Sequence, residues 1–398
     1  VPRSRGKRLP RAREHDVAAI VGKRSAAARA AGKPRVLEVL HSFAIGGSEI
    51  FALELARQLS MQGIEVLCAS IEAANGPLVK RCADYGLAVV DLGIPQRDIL
   101  GRNGLSLRLT RRLRALDLDA IHLQHFLGLH KLGLPARLAG IRRVVVTEHS
   151  IFDVAQSRAG RVRARLNWRL ASSVTVIHQS IKDYLAGVIG VDPGRIEVVP
   201  IGIEVDRYHR RDRAECRARL GIEAEVVLAF VGRLAPVKNV PGIIAAFLAV
   251  QARRTHRSRL LVVGDGACRS DCQELLRSHP CGYQVTLLGE QADARPFLAA
   301  ADVFVMNSSS EGTPRALLEA MAMGIPAICP DVGGIPDMLE GRGWLTRAGD
   351  QGSLQAAIEF VMDNPAEIRV REAACREYVR SQFDAALATE RYRRLLAG

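Results

Sequence analysis

Aromatic residues are scarce. Phe, Tyr and Trp make up 5% of the 398 residues, and only two are tryptophans. Too few lie among the basic residues to build a stacking surface for unpaired bases, so no specific nucleic-acid partner is expected. No uncharged apolar run approaches the eighteen or so residues that a membrane-spanning helix requires. The eight cysteines are scattered. Only Cys268 and Cys272 lie close together, and no second pair or adjacent histidine completes a zinc site, so reduced thiols and no metal are expected. The apolar stretch at 17–21 is closed by Lys23 and Arg24 and is too short for a signal-peptide core, which leaves the cytoplasm as the expected compartment.

The chain has a formal charge of +14, and residues 1–35 hold eleven Lys/Arg against two acids. Without aromatics or a periodic apolar face, residues 1–34 are expected to form a solvated, disordered arm. A second use for such an arm is attraction to anionic lipid or to an anionic acceptor, which would put the chain peripherally at the inner face of a membrane. At 48% hydrophobic and 25% charged residues the composition is globular, and the length suits two domains rather than one core.

The apolar runs have a rhythm. RVLEVL (35–40), EVLCAS (65–70), AVVDLG (88–93), AIHLQH (120–125), RVVVTEHS (143–150), SVTVIHQS (173–180) and IEVVP (196–200) alternate with helical patterns. The same rhythm restarts at VVLAFVGRL (226–234) and continues through LLVVGDG (260–266), VTLLG (285–289), VFVMNS (303–308) and PAICPD (326–331). Strand and helix in alternation predict parallel sheets covered on both faces. The expected architecture is α/β, with two Rossmann-like doubly wound domains, 35–207 and 208–377, facing across a cleft. A helix over about 378–398 has no strand after it and is expected to pack back on the first domain. Ligands of such sheets bind at the C-terminal ends of the strands. Two basic stretches invite other uses. LSLRLTRRLRAL (105–116) reads as an amphipathic helix covering a sheet. GRVRARLNWRL (160–170), with Trp168 among its arginines, reads either as such a helix or as a contact for membrane or acceptor.

The densest chemistry lies in SSSEGTPRALLEAMAMGIP, 308–326. Thr313 suits an N-cap and Pro314 the first helical position, so the N–H groups of Arg315, Ala316 and Leu317 are expected to form an anion site, most simply for phosphate. Glu311, in the loop before those amides, would be repelled by phosphate and should reach the hydroxyls of an attached sugar. Glu319 lies farther along the helix, where a carboxylate suits a ribose diol. Arg233 and Lys238, in GRLAPVKN after the first strand of the second domain, could clamp a diphosphate. Gly46 and Gly47 give the first domain a turn where backbone can approach a phosphate or sugar. These groups together fit a nucleotide sugar.

These residues carry a resemblance. SEGTPRALLEAMAMGIPAICPDVGGIPDML with its E-x7-E pair, together with GRLAPVKN, VVGDG, VVPIGIEVDRY and the Gly-Gly turn, resembles glycosyltransferase family 4, retaining enzymes of the GT-B fold, from about residue 35 onward. Two positions depart from that pattern: Ile201 stands where the family usually has asparagine, and Pro314-Arg315 where small or aromatic residues are also common. The resemblance implies metal-independent transfer, without a cofactor, of a sugar from a UDP-, GDP- or ADP-linked donor to a glycan or lipid-linked acceptor, as in bacterial surface polysaccharide synthesis. It implies Glu311 on the donor sugar, Glu319 on the ribose, Arg233 and Lys238 on the diphosphate, the amides after Pro314 on the distal phosphate, and His149 near the reacting centre. His122 and His125 either line the acceptor side or are buried and hydrogen-bonded. No carboxylate of the first domain is evident as an enzyme nucleophile. Alternatives are a nucleotide-sugar epimerase or hydrolase, or a non-catalytic subunit of the same fold.

Overall fold

The computed structural model describes residues 32–94, 106–150, 158–209, 212–224, 226–254 and 258–398. The basic arm and Leu105 lie almost wholly outside them. Two compact units divide the chain. One comprises the chain up to Val176, Asp183–Glu197 and Arg391–Gly398, and the other comprises Ile177–Lys182 and Val198–Glu390.

The first unit is built on β1 (Arg35–Leu40), α1 (Gly47–Met61), β2 (Glu65–Ser70), α2 (Pro77–Asp84), β3 (Ala88–Val89), α3 (Leu107–Ala115), β4 (Ala120–Gln124), α4 (His125–Ala139), β5 (Arg143–Glu148), α5 (Arg158–Trp168), β6 (Ser173–Val176) and β7 (Ile196–Val198); α6 (Gln179–Tyr184) lies between the last two strands. Its seven strands run in the order β3-β2-β1-β4-β5-β6-β7. The pairings of β1 with β2 and β4, of β4 with β5 and of β5 with β6 are parallel. Every residue of β1 and β4 is buried, as a sheet covered on both faces requires. The helix expected at 105–116 is α3, capped by Ser106 Oγ accepting from the Leu109 amide at 3.2 Å, with Leu109, Leu113 and Leu116 inward.

Of the two readings left open for 160–170, Trp168 takes the part of a helix covering the sheet. It is 2% exposed, its ring is 5.4 Å from that of Phe126, and it shares the inward face of α5 with Ala164. The helical period sends the indole to the core and the arginines outward, so Trp168 cannot itself anchor a membrane.

The second unit contains α7 (Arg213–Arg219), β8 (Val226–Val231), α8 (Val240–Gln251), β9 (Ser258–Val263), α9 (Arg269–Ser278), β10 (Val285–Gly289), α10 (Arg295–Ala300), β11 (Val303–Val305), α11 (Arg315–Ala322), β12 (Ala327–Pro330), α12 (Ile335–Leu339), β13 (Gly343–Thr346), α13 (Gln351–Asp363) and α14 (Pro365–Phe383). Its sheet has the order β10-β9-β8-β11-β12-β13, again parallel. Phe230, Val262 and Leu228 of the sheet pack with Phe247 and Ile243 of α8 and with Leu354 and Ile358 of α13. Each such buried side chain contributes about 1.5–3 kcal/mol. The edge strand β13 escaped the sequence reading because GWLT is short, begins with glycine and is only partly buried. The helical stretch after residue 377 is broken at Asp384: α15 (Ala385–Ala397) follows α14, and the break is tied to Ile203 by backbone hydrogen bonds of 2.8 Å on either side.

Candidate functional site

In the second sheet the strand order reverses between β8 and β11, and the loops leaving those two strands meet. Ser309 N donates to Val237 O at 2.9 Å. The side chains of Lys238, from the β8 loop, and Glu311, from the β11 loop, form an ion pair there. The Glu311 side chain is 9% exposed and that of Lys238 21%. The β12 loop closes in from the other side, with Gly334 N donating to Gly312 O at 3.2 Å. Gly333 has φ +56°, and a Cβ there would strike the Glu311 carbonyl, so only glycine lets this loop approach. At the end of β11 the Ser308 hydroxyl is buried without a hydrogen-bond partner among the described residues, a polar atom placed where a ligand could satisfy it. Arg233 is exposed in the loop after β8.

The start of α11 differs from the sequence expectation. Pro314, at φ −72° and ψ 113°, is the N-cap rather than the first helical residue, and Thr313 makes no cap. The proline carbonyl accepts from the Leu317 amide at 3.1 Å. Leu317 is therefore committed to the helix, and the anion-facing positions reduce to Arg315 and Ala316, the first two residues, whose amides precede the hydrogen-bond ladder. Glu319 sits one turn on. Its Oε1 accepts from Arg315 Nε at 2.8 Å and from the Tyr208 hydroxyl at 2.9 Å. Tyr208 had no sequence signal beyond its place in IEVDRY.

The first unit gathers a second constellation around its own point of strand reversal, between β1 and β4. Glu38 Oε2 is 2.7 Å from His122 Nδ1, and Glu38 Oε1 accepts from Gln124 Nε2 at 2.5 Å. Gln124 Oε1 is 2.5 Å from His149 Nε2. Because the amide nitrogen of Gln124 is turned to Glu38, its oxygen is the atom facing His149, and the imidazole must present an N–H to it. His122 Nε2 is 2.7 Å from Thr147 Oγ1, which is 2.9 Å from the Tyr392 hydroxyl of α15. Burial, then the nearby His125 and His122, hold the His149 pKa well below 6.5, so the ring is neutral. Of the two readings left open for His122, the structure gives the buried, hydrogen-bonded one.

His125 opens α4 with φ +72°, a left-handed conformation that costs a non-glycine residue about 1–3 kcal/mol. Glu148 holds it there. The carboxylate accepts from the amides of Phe126 (2.8 Å) and His149 (3.1 Å) and lies 3.1 Å from His125 Nδ1. Burial opposes a charge on His125, but the hydrogen bond and charge of Glu148, with Glu49 farther off, outweigh it and raise its pKa. Glu148 is thus a carboxylate beside His149 that the sequence reading passed over. It is 2% exposed and engaged by backbone amides, so it shapes the loop rather than offering a nucleophile. Gly46 is the N-cap of α1, in ordinary extended backbone, and Gly47 its first residue, with open space where a Cβ would stand. Among the described residues no group of three or more His, Cys, Asp or Glu is arranged to hold a metal, and no helix is long and apolar enough to cross a membrane.

The models of two families match: Glycosyltransferase Family 4 over residues 45–207, and Glycosyl transferases group 1 over residues 225–364. A D-inositol 3-phosphate glycosyltransferase of Rhodococcus erythropolis is 30% identical over 345 residues, 78% of this chain and 75% of its own length. A UDP-Gal:alpha-D-GlcNAc-diphosphoundecaprenol alpha-1,3-galactosyltransferase of Escherichia coli is 27% identical over 63% of this chain and 68% of its own. In fold, the chain is similar to HepE of Anabaena, solved with UDP, at a TM-score of 0.77 and 20% identity over 92% of this chain and 99% of that one. With two doubly wound sheets, the matched models and these relatives, the chain belongs to glycosyltransferase family 4 and has the GT-B fold.

Proposed function

We propose that the chain transfers a sugar from a nucleoside diphosphate to a hydroxyl of a glycan or lipid-linked acceptor, with retention at the anomeric carbon and without a metal. The observation that carries this reading is the Lys238–Glu311 ion pair at the strand reversal of the second sheet, beside the first turn of α11. A cation and helix amides suit the diphosphate, and a carboxylate at their edge suits sugar hydroxyls. The Escherichia coli relative, named for UDP-galactose as donor and a diphosphoundecaprenol-linked sugar as acceptor, and HepE, solved with UDP, support the donor and acceptor classes.

In this reading the bond from the anomeric carbon to the phosphate oxygen breaks as the acceptor oxygen forms its bond on the same face. The departing oxygen takes the acceptor's proton. Arg233, Lys238 and the amides of Arg315 and Ala316 stabilise the charge that builds on the diphosphate. Glu311 accepts from hydroxyls of the donor sugar, and Glu319 from the ribose, in competition with Tyr208 and Arg315. His149, neutral and with its proton on Nε2, offers its other nitrogen as an acceptor for a substrate hydroxyl. A lipid-linked acceptor brings the chain to the inner face of an anionic membrane as a peripheral protein of the cytoplasm.

The test is a thermal-shift screen against UDP-, GDP- and ADP-sugars, where a ligand at a hundred times its dissociation constant stabilises by about 2.7 kcal/mol. The anomeric configuration of the product is then read by NMR, with and without EDTA. A chain that responds to none of these donors does not have this function. Inversion, or loss of turnover in EDTA, overturns the stereochemical and metal-independent parts respectively.

A further inference from the structure

Three neighbouring helices of the first unit, α3, α4 and α5, carry ten Lys/Arg and no Asp or Glu. They pack side by side. Arg114 is tied to Leu138 O at 2.7 Å and Arg137 to Leu170 O at 2.8 Å, so part of this charge fastens the helices together. Arg163, Arg165 and Arg169 are exposed, and have no ion-pair partner among the described residues.

Large apolar side chains are exposed on the same helices. Val162 and Leu166, one turn apart on α5, are each 56% exposed, and Leu134 and Leu138, one turn apart on α4, are exposed as well. The sequence pattern of α5 therefore satisfies two environments. Ala164 and Trp168 serve the core, while a second apolar stripe faces solvent, flanked by arginines. Water alone gives no reason for that stripe.

We propose that the outer face of α4 and α5 docks on a bilayer containing anionic lipid, with Val162, Leu166, Leu134 and Leu138 entering the interface and Arg163, Arg165 and Arg169 reaching its headgroups. Charge chooses this occupant. The three helices are uniformly positive and free of carboxylates, which suits a plane of diffuse negative charge, whereas a folded protein partner would meet residues of both signs. Long arginine stems let the guanidinium stay among phosphates while the shorter apolar chains are buried. Nucleic acid fits less well, because the outward stripe is aliphatic and the aromatic of the helix, Trp168, is inside. The inference deepens the reading of a membrane-held acceptor and rests on it for its biological sense, but uses none of the donor-site residues.

The full chain is sedimented with vesicles of phosphatidylethanolamine and phosphatidylglycerol, and with vesicles of phosphatidylcholine alone. Binding to the anionic vesicles that weakens as salt is raised is the expected result. The paired substitution Val162→Asp and Leu166→Asp should lower the partition coefficient roughly tenfold or more, while Val370→Asp, at an exposed site of α14 in the second unit, leaves it unchanged. Both sites are exposed, and retained melting temperatures show that folding is intact. Equal binding to neutral vesicles overturns the proposal, as does binding by the paired variant equal to wild type, which would assign attachment to another basic segment such as residues 1–31. Capture of duplex RNA without capture of vesicles also overturns it. Donor-sugar turnover measured on the same samples separates the two readings: vesicle binding without transfer supports the surface and removes the transferase, and transfer without vesicle binding does the reverse.

Discussion

His149 and Gln124 meet at 2.5 Å, imidazole Nε2 to amide Oε1, and the orientation of that amide is set by a carboxylate on β1, two strands away from the histidine. The identity of the protonated ring nitrogen is therefore decided by Glu38, a residue that never touches the ring. Gln124→Leu removes both hydrogen bonds and leaves buried polar atoms on either side, so the first unit should lose about 1–3 kcal/mol for each unsatisfied group, read by urea denaturation. Gln124→Glu keeps an acceptor for His149 and adds a negative charge. The histidine pKa should rise, seen in an NMR titration; an unmoved titration would mean that the amide does not control the ring.

Lys238→Ala should act twice. It leaves Glu311 without its cation in a site where the carboxylate is 9% exposed, lowering stability by about 1–3 kcal/mol. It should also slow sugar transfer by roughly ten- to 150-fold, the equivalent of about 1.5–3 kcal/mol of lost charge-assisted contact. Adding Glu311→Ala should recover part of the stability, because no orphan carboxylate remains, and recover none of the activity. Wild-type turnover in Lys238→Ala would remove this lysine from the site.

Glu319→Gln tests the ribose contact. Arg315 and Tyr208 can still bond the amide oxygen, so the helix should remain folded, while nucleotide affinity measured by calorimetry should fall about tenfold or more. Tyr208→Phe removes a competitor for Oε1 and should leave affinity equal or stronger. Weaker binding in Tyr208→Phe would instead show the phenol to be a positioning group for the carboxylate.

The pH dependence of stability should carry a signature of His125. Its pKa is raised above 6.5 in the folded chain, so the stability it contributes is fully present below 6.5 and is lost as pH rises through the folded value. His125→Asn accepts the left-handed backbone with little strain. The difference in melting temperature between wild type and variant should be largest below pH 6.5 and shrink as the pH is raised beyond it. A difference that grows with pH would reverse the assigned sign.

Much of the fold was legible because parallel strands buried on both faces leave unbroken apolar runs, as in VVLAFV and LLVV. Lys238, Glu311 and Glu319 stood out for a different reason: they lie in loops and one turn into a helix, where no apolar period of the core calls for a charge. The first unit's network was not, because Glu38, Gln124, Thr147 and Glu148 sit inside strands whose partners are distant in sequence. The available signal was polarity inside otherwise apolar strands, at Glu38 in RVLEVL, His122 and Gln124 in AIHLQH, and Thr147 and Glu148 in VVVTEH, since such residues are rarely buried without partners. The start of α11 failed for a local reason. Proline tolerates both the N-cap and the first helical position, and only its ψ of 113° distinguishes them.

Tyr392 joins this network from α15, where its hydroxyl meets Thr147 and Thr175 beneath the first sheet. A ribosome makes that tyrosine only after every strand of the second sheet has been synthesised. A nascent chain halted before residue 391 would carry a vacancy in its earlier-made half, and the later-made half should mature first.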